Sequence, residues 1–171
     1  NANGVDLNRN YPFYWANYST GTSGFGQENY KGASALSEAE PLAIKALIDS
    51  GEIHAVMDLH SYENADYIYE LMAAPPSQFV LFNRNQFVLA RNAAINAHAL
   101  NYGSTFDSLQ DVSPNLVNWA GHYLTNTKAI PYASAVLLEA RKNIGGSTAT
   151  NLTSEGATKI GGFISSWVCS Y

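Results

Sequence analysis

The chain has 171 residues, 46% of them hydrophobic and only 13% charged, with a formal net charge of −5 at pH 7. That is one domain's length, enough to bury a sizeable core. The acidic balance and the lack of a basic stripe argue against nucleic acid and acidic membranes as partners, and no apolar stretch reaches the length of a membrane span. Cys169 is the single cysteine, which excludes an intrachain disulfide and a cysteine-rich zinc site.

Asn1-Ala2-Asn3-Gly4 contains neither an initiator methionine nor a signal peptide, so the chain reads as beginning in mid-protein. Asn3-Gly4 is a turn signal, residues 5–7 fit the end of a short strand, and Pro12 closes the segment. Asn8-Arg9-Asn10 is therefore expected on a loop just after a strand. A guanidinium there, flanked by amides, can grip a carboxylate through two parallel hydrogen bonds, or can serve as a structural Arg in a polar turn.

Residues 13–36 read as a long loop rich in Gly, Ser, Thr and aromatics. It lacks the Gly-Lys-Ser/Thr ending of a phosphate cradle and no helix follows it directly, which excludes a nucleotide loop. Structureless loops of this length are usually functional or covering. Ser37-Glu38-Ala39-Glu40 has the pattern of a capping box, with Ser37 as N-cap and Glu40 at N3. Leu42, Ala43, Ala46 and Leu47 then recur at helical spacing, Pro41 falls in the tolerant first turn, and Ser50-Gly51 stops the helix.

The run Ile53-His54-Ala55-Val56-Met57 is apolar and β-branched and predicts a buried strand. It ends in Asp58-Leu59-His60-Ser61-Tyr62, where polar groups crowd together. The carboxyl ends of strands in α/β sheets are where loops carry chemistry. An imidazole at such a place can ligate a metal, move a proton or satisfy a buried hydrogen bond. Residues 67–72 predict a second strand and residues 133–140 a third, the latter buried until Glu139 interrupts it. Residues 77–101 predict a long helix that includes His98, residues 104–131 read as irregular, and residues 153–168 fit a C-terminal helix. Glu139 at the end of an apolar strand must be paired, ligating or catalytic. The structural alternative is a salt bridge to Arg141 or Lys142, and Arg141 shares its strand face.

Four motifs now stand in order: Gly4-Val5-Asp6-Leu7-Asn8-Arg9-Asn10-Tyr11, Tyr30-Lys31-Gly32-Ala33-Ser34-Ala35-Leu36-Ser37-Glu38-Ala39-Glu40, Asp58-Leu59-His60-Ser61-Tyr62 and Leu137-Leu138-Glu139-Ala140-Arg141. Together they resemble the zinc metallocarboxypeptidases of the carboxypeptidase A type, in the family's order and at closely similar separations. The resemblance covers essentially the whole chain and matches only the later half to two thirds of a family domain. It implies an α/β fold of three α/β/α layers around a central mixed sheet, with residues 1–171 as the C-terminal portion of a single catalytic domain whose N-terminal part is missing.

The resemblance also implies roles. His60 matches the family's later zinc ligand, and Glu139 the carboxylate that activates the metal-bound water and passes its proton to the leaving amine. Asn8 and Arg9 match the pair that holds the substrate's terminal carboxylate. Zinc needs imidazole or carboxylate ligands and an open water position, whose pKa it lowers within reach of a carboxylate base.

The departures are equally specific. The family's H-x-x-E motif, which supplies two zinc ligands, and its oxyanion-stabilising Arg both precede the Asn-Arg pair and would lie upstream of residue 1. His60-Ser61-Tyr62-Glu63 spells H-x-x-E, but positions i and i+3 face opposite sides of a strand, so Glu63 joins His60 only after a sharp turn. Anchored on Asn118-Trp119, the family's mobile catalytic Tyr falls on Gln110, leaving Tyr123 as a substitute substrate contact by proximity. The same anchor puts the pocket base on Val117, implying an uncharged terminal side chain. The expected function is a zinc-dependent carboxypeptidase-like hydrolase acting on peptides with a free C-terminal carboxylate. With one zinc ligand, and dependent on the missing N-terminal segment, this chain alone is expected to be inactive. The alternatives are a non-catalytic peptide- or cell-wall-binding module and a peptidoglycan-peptide carboxypeptidase. Low lysine content and the family together suggest secretion.

Overall fold

Three strands form: β1 (Ala55–Tyr62), β2 (Tyr67–Glu70), which is rich in Tyr and Ile, and β3 (Ser134–Arg141), which carries an aliphatic run. The structure, a computed structural model, describes residues 1–19, 24–62, 67–70, 92, 113–130, 133–141, 161–162 and 164–165. The strands make one sheet in the order β1-β3-β2. β3 is thus its middle strand, consistent with the unbroken apolar run Ala135-Val136-Leu137, which is buried. β2 runs antiparallel to β3, with Tyr67 opposite Glu139 and Glu70 opposite Val136.

The described residues fall into two compact units. The sheet from residue 57 onward in β1 and residue 136 onward in β3 belongs to the second, together with β2. The first holds the N-terminal segment and two helices, α1 (Ala39–Asp49) and α2 (Leu116–His122).

The predicted first helix forms, but neither its cap nor its face is the one read from the sequence. Glu38, not Ser37, is the N-cap. The Ser37 hydroxyl donates to Glu38 Oε1 at 2.8 Å and accepts from Asn10, so it is withdrawn from the helix end. Glu40 still lies in the first turn, where a carboxylate suits the helix dipole. Leu42 and Leu47 are 47% and 62% exposed, whereas Pro41 and Ile48 are buried and Ile44 and Lys45 half-buried. The inward stripe is therefore Pro41, Ile44, Lys45 and Ile48, an equally valid helical spacing that the leucine pattern masked. Gly51, at φ +87°, closes the helix in the left-handed conformation that glycine accepts most readily.

α2 lies in a segment read as irregular. Its start is set by Asn115, whose side chain accepts from Asn118 N at 2.7 Å. Residues 117–121 are all buried, so this short helix is packed on every side. It runs on into a wider π-helical turn, Tyr123–Thr127, where Lys128 N bonds back to Tyr123 O at 2.9 Å. Thr125 Oγ1 donates to Gly121 O at 2.7 Å, competing locally with the backbone ladder. Tyr11, Trp119 and Tyr123 stack in series, with ring centroids 5.1 Å apart at each step.

Asn92 and residues 161, 162, 164 and 165 are helical. The remainder of the helices read at 77–101 and 153–168, together with His98, Gln110 and Glu63, lies outside the described residues.

Candidate active site

Asn8 and Arg9 sit on a 3-10 turn, Leu7–Arg9, where the sequence suggested a loop after a strand. The strand end does not form. Instead the Asp6 carboxylate caps the turn by accepting from Asn8 N at 3.0 Å, while Asp6 N donates to Tyr30 O at 2.9 Å. Asn8 Oδ1 accepts from Leu116 N at 2.8 Å, which covers one of the open amides at the start of α2. Tyr11 N donates to Pro114 O at 3.1 Å, tying the same two segments a second time.

Arg9 is oriented from two sides. Its Nε–H donates to the Tyr18 hydroxyl at 3.0 Å, and Nη1 donates to Asn8 O at 2.8 Å. Tyr18 is in turn held by Lys31, whose Nζ donates to the carbonyls of Tyr18 and Trp15 at 2.9 and 2.8 Å and lies 4.2 Å from the Trp15 ring centre. The long loop thus braces the guanidinium, a support that composition alone did not reveal. Among the described residues no carboxylate forms an ion pair with Arg9.

Tyr123 is engaged in a charge network on the first unit. Its hydroxyl donates to Asp49 Oδ1 at 2.7 Å and accepts from Lys45 Nζ at 3.3 Å. Asp49 also pairs with Lys45 and, at 2.9 Å, with Lys128. Hydrogen bonds from Lys45, Tyr123 and Lys128 hold the Asp49 carboxyl well below its usual range. Next to Tyr123, His122 stacks on Phe13 at 4.3 Å, and burial lowers its pKa. Val117, read as the pocket base, is buried within α2.

His60 lies on β1 and Glu139 on β3, neighbouring strands of the sheet in the second unit, each two residues before its strand's end. His60 Nε2 is 2.9 Å from Asp58 Oδ2. Residues two apart share a strand face, so Asp58-Leu59-His60 carried the signal for this pair. Both side chains are partly exposed, and a neutral imidazole held by a carboxylate fits one position of a zinc site. No group of three His, Cys, Asp or Glu that could hold a metal occurs among the described residues, so a zinc site at His60 would need ligands from outside them.

Helices and a three-stranded sheet, with the likeness to solved structures, define an α/β protein of the metallocarboxypeptidase fold. Bovine thrombin-activatable fibrinolysis inhibitor, solved with a tick carboxypeptidase inhibitor, superposes with a TM-score of 0.63 at 21% identity, covering 98% of this chain and 58% of that one. Carboxypeptidase A from Helicoverpa armigera gives 0.64 at 17% identity, over 97% and 41%. The zinc carboxypeptidase family model matches residues 1–145, and the chain belongs to that family of peptide hydrolases. "Zinc carboxypeptidase A 1" of Anopheles gambiae is 26% identical over 127 residues, 68% of this chain and 28% of that protein. The chain therefore spans only part of the length of the relatives it matches.

Proposed function

We propose that residues 1–171 are the later portion of a single zinc-dependent carboxypeptidase domain that removes C-terminal residues from peptides. The family match supports the single-domain reading because it runs through both compact units. The observation that carries the function is Arg9: a guanidinium braced by Tyr18 and the Asn8 carbonyl, with no carboxylate partner among the described residues. Such a group is prepared for a carboxylate that arrives with the substrate. Asn8 shapes the turn and adds a donor. Tyr123 contacts substrate only by exchanging its hydrogen bond to Asp49 for one to the peptide.

His60 would hold zinc, with the remaining ligands supplied by sequence upstream of residue 1. When bound there, zinc would supply Lewis-acid chemistry, polarising a carbonyl and making a water more acidic. Glu139 takes the proton from the attacking water and delivers it to the leaving amine. Secretion fits this reading, and no helix among the described residues is long and apolar enough to cross a membrane.

The test uses the full-length protein and peptides that differ only in a free or amidated C-terminus. Hydrogen bonds to charged groups are worth about 1.5–3 kcal/mol each, so the free acid should be preferred by at least about tenfold in kcat/KM. Arg9→Ala should collapse that preference and Arg9→Lys should restore only part of it, because an ammonium cannot reproduce the fork. Equal handling of acid and amide by the unmodified protein would sink the carboxypeptidase assignment.

A further inference from the structure

Asp58 and His60 project from the same face of β1, while Leu59 between them points the other way and is 53% exposed. Their side chains meet at 2.9 Å through Nε2 and Oδ2, with His60 about one-third exposed and Asp58 more enclosed, at 35% and 17%. An ionised carboxylate can only accept a hydrogen bond. The proton of a neutral His60 must then sit on Nε2, which puts the lone pair on Nδ1.

We propose that Asp58 is a positioning residue that selects the Nδ1-ligating form of His60 and fixes the plane of its ring for zinc. The inference rests on the zinc-dependent reading above and adds to it the residue that makes the histidine a ligand. It follows from chemistry common to metal sites. A metal-bound imidazole keeps its other N–H on an acceptor, and a carboxylate there fixes the ring and raises the basicity of the ligating nitrogen. On a strand the arrangement needs no loop closure. The backbone that carries His60 also carries its orienting group one pleat away, so the two move together.

The experiment uses the full-length protein with Asp58→Ala and Asp58→Asn. The nearly isosteric Asn keeps an acceptor oxygen without the charge and remains informative should the Ala variant fail to fold. Zinc affinity is measured by chelator competition, and nitrogen-15 shifts of the His60 ring in the metal-free protein report which nitrogen carries the proton. The expected result is Nε2 protonation in the unmodified protein, a 10–100-fold loss of zinc affinity in Asp58→Ala with a mixed tautomer, and an intermediate loss in Asp58→Asn. A purely structural Asp58 would leave the tautomer unchanged. Unchanged zinc affinity in a folded variant, or Nδ1 protonation in the unmodified protein, overturns the inference and leaves the carboxypeptidase reading standing. An unmodified protein that takes up no zinc overturns both.

Discussion

At Glu139 the backbone lies in the middle strand, paired with Tyr67, in a run whose preceding residues Ala135, Val136 and Leu137 are buried. Glu139→Gln keeps the shape and removes the carboxylate that the proposed function makes a general base. In the full-length protein kcat should fall by roughly 10²–10⁴-fold, the usual contribution of a positioned acid–base group, with little change in substrate binding. Near-normal kcat would make Glu139 a structural residue. Asn8 illustrates the converse. It matches the family's substrate-binding pair, yet its side-chain oxygen also caps α2. Nothing in the residue letters announces that second duty, because Leu116 is distant in sequence and only folding brings its amide to the turn.

α1 separates what a pattern can convey from what packing decides. Its limits were readable from Pro41 and Ser50-Gly51, but Leu42 and Leu47 outweighed Ile44 and Ile48 in the apolar count and face outward. In this chain Ile48→Ala should therefore destabilise by about 2–5 kcal/mol, the range for a buried branched residue. Leu47→Ala should stay within about 0.5 kcal/mol, and urea denaturation distinguishes the two. A larger loss at Leu47 than at Ile48 would reverse the face. The strands were more legible, because continuous apolar runs leave fewer alternatives: the readings at residues 67–72 and 133–140 correspond to β2 and β3. The run read at 53–57 leads into β1, though the strand begins two residues later and Ala55, Val56 and Met57 are half-buried, not buried. α2 was missed because its seven residues, Leu116–His122, are too few to show a helical period, and Gly121 disfavours a helix. Its one usable signal was Asn115, a good N-cap directly after Pro114. The Asp58–His60 pair was present in the letters as two polar residues one pleat apart, and needed only the strand assignment to be seen.

For the molecule as a whole, the shifted groups among the described residues combine into a contribution to its stability profile. Glu38 is held below its ordinary value by hydrogen bonds from Asn3, Asn1 and Ser37, and Asp49 by those from Lys45, Tyr123 and Lys128. Both carboxyls bind protons more weakly in the fold than in the unfolded chain. Their stabilisation is complete above the ordinary values of 4.5 and 3.8 and is lost as pH falls through the lower folded ones. His122, lowered by burial, adds stability that is complete above 6.5 and erodes below it. Lys45 is raised chiefly by its bond to Asp49 and Tyr14 by burial, so their contributions are complete below 10.5 and 10.0 and are lost at higher pH. Tm should therefore be level between about pH 7 and 9, decline gently below 6.5 and fall more steeply below about 4.5. His122→Gln should remove the gentle step alone, as thermal melts across pH would show. The partly exposed Lys45, Asp49 and Lys128 group should contribute less as salt is added.

The buried side chain of Asn10 has an evolutionary consequence. Its Nδ2 donates to Lys31 O, Ser34 O and Ser37 Oγ at 2.8, 3.0 and 3.0 Å, and its Oδ1 accepts from Glu38 N at 3.2 Å. Gly32 lies so close that a Cβ there would come within 2.7 Å of Asn10 Nδ2. Aspartate would match the shape but set a negative oxygen against three acceptors, leucine would strand them all, and glutamine is one methylene too long for the space. Descent with modification has almost no neutral step at this position, and Gly32 is bound to it. The two residues should be inherited as a pair.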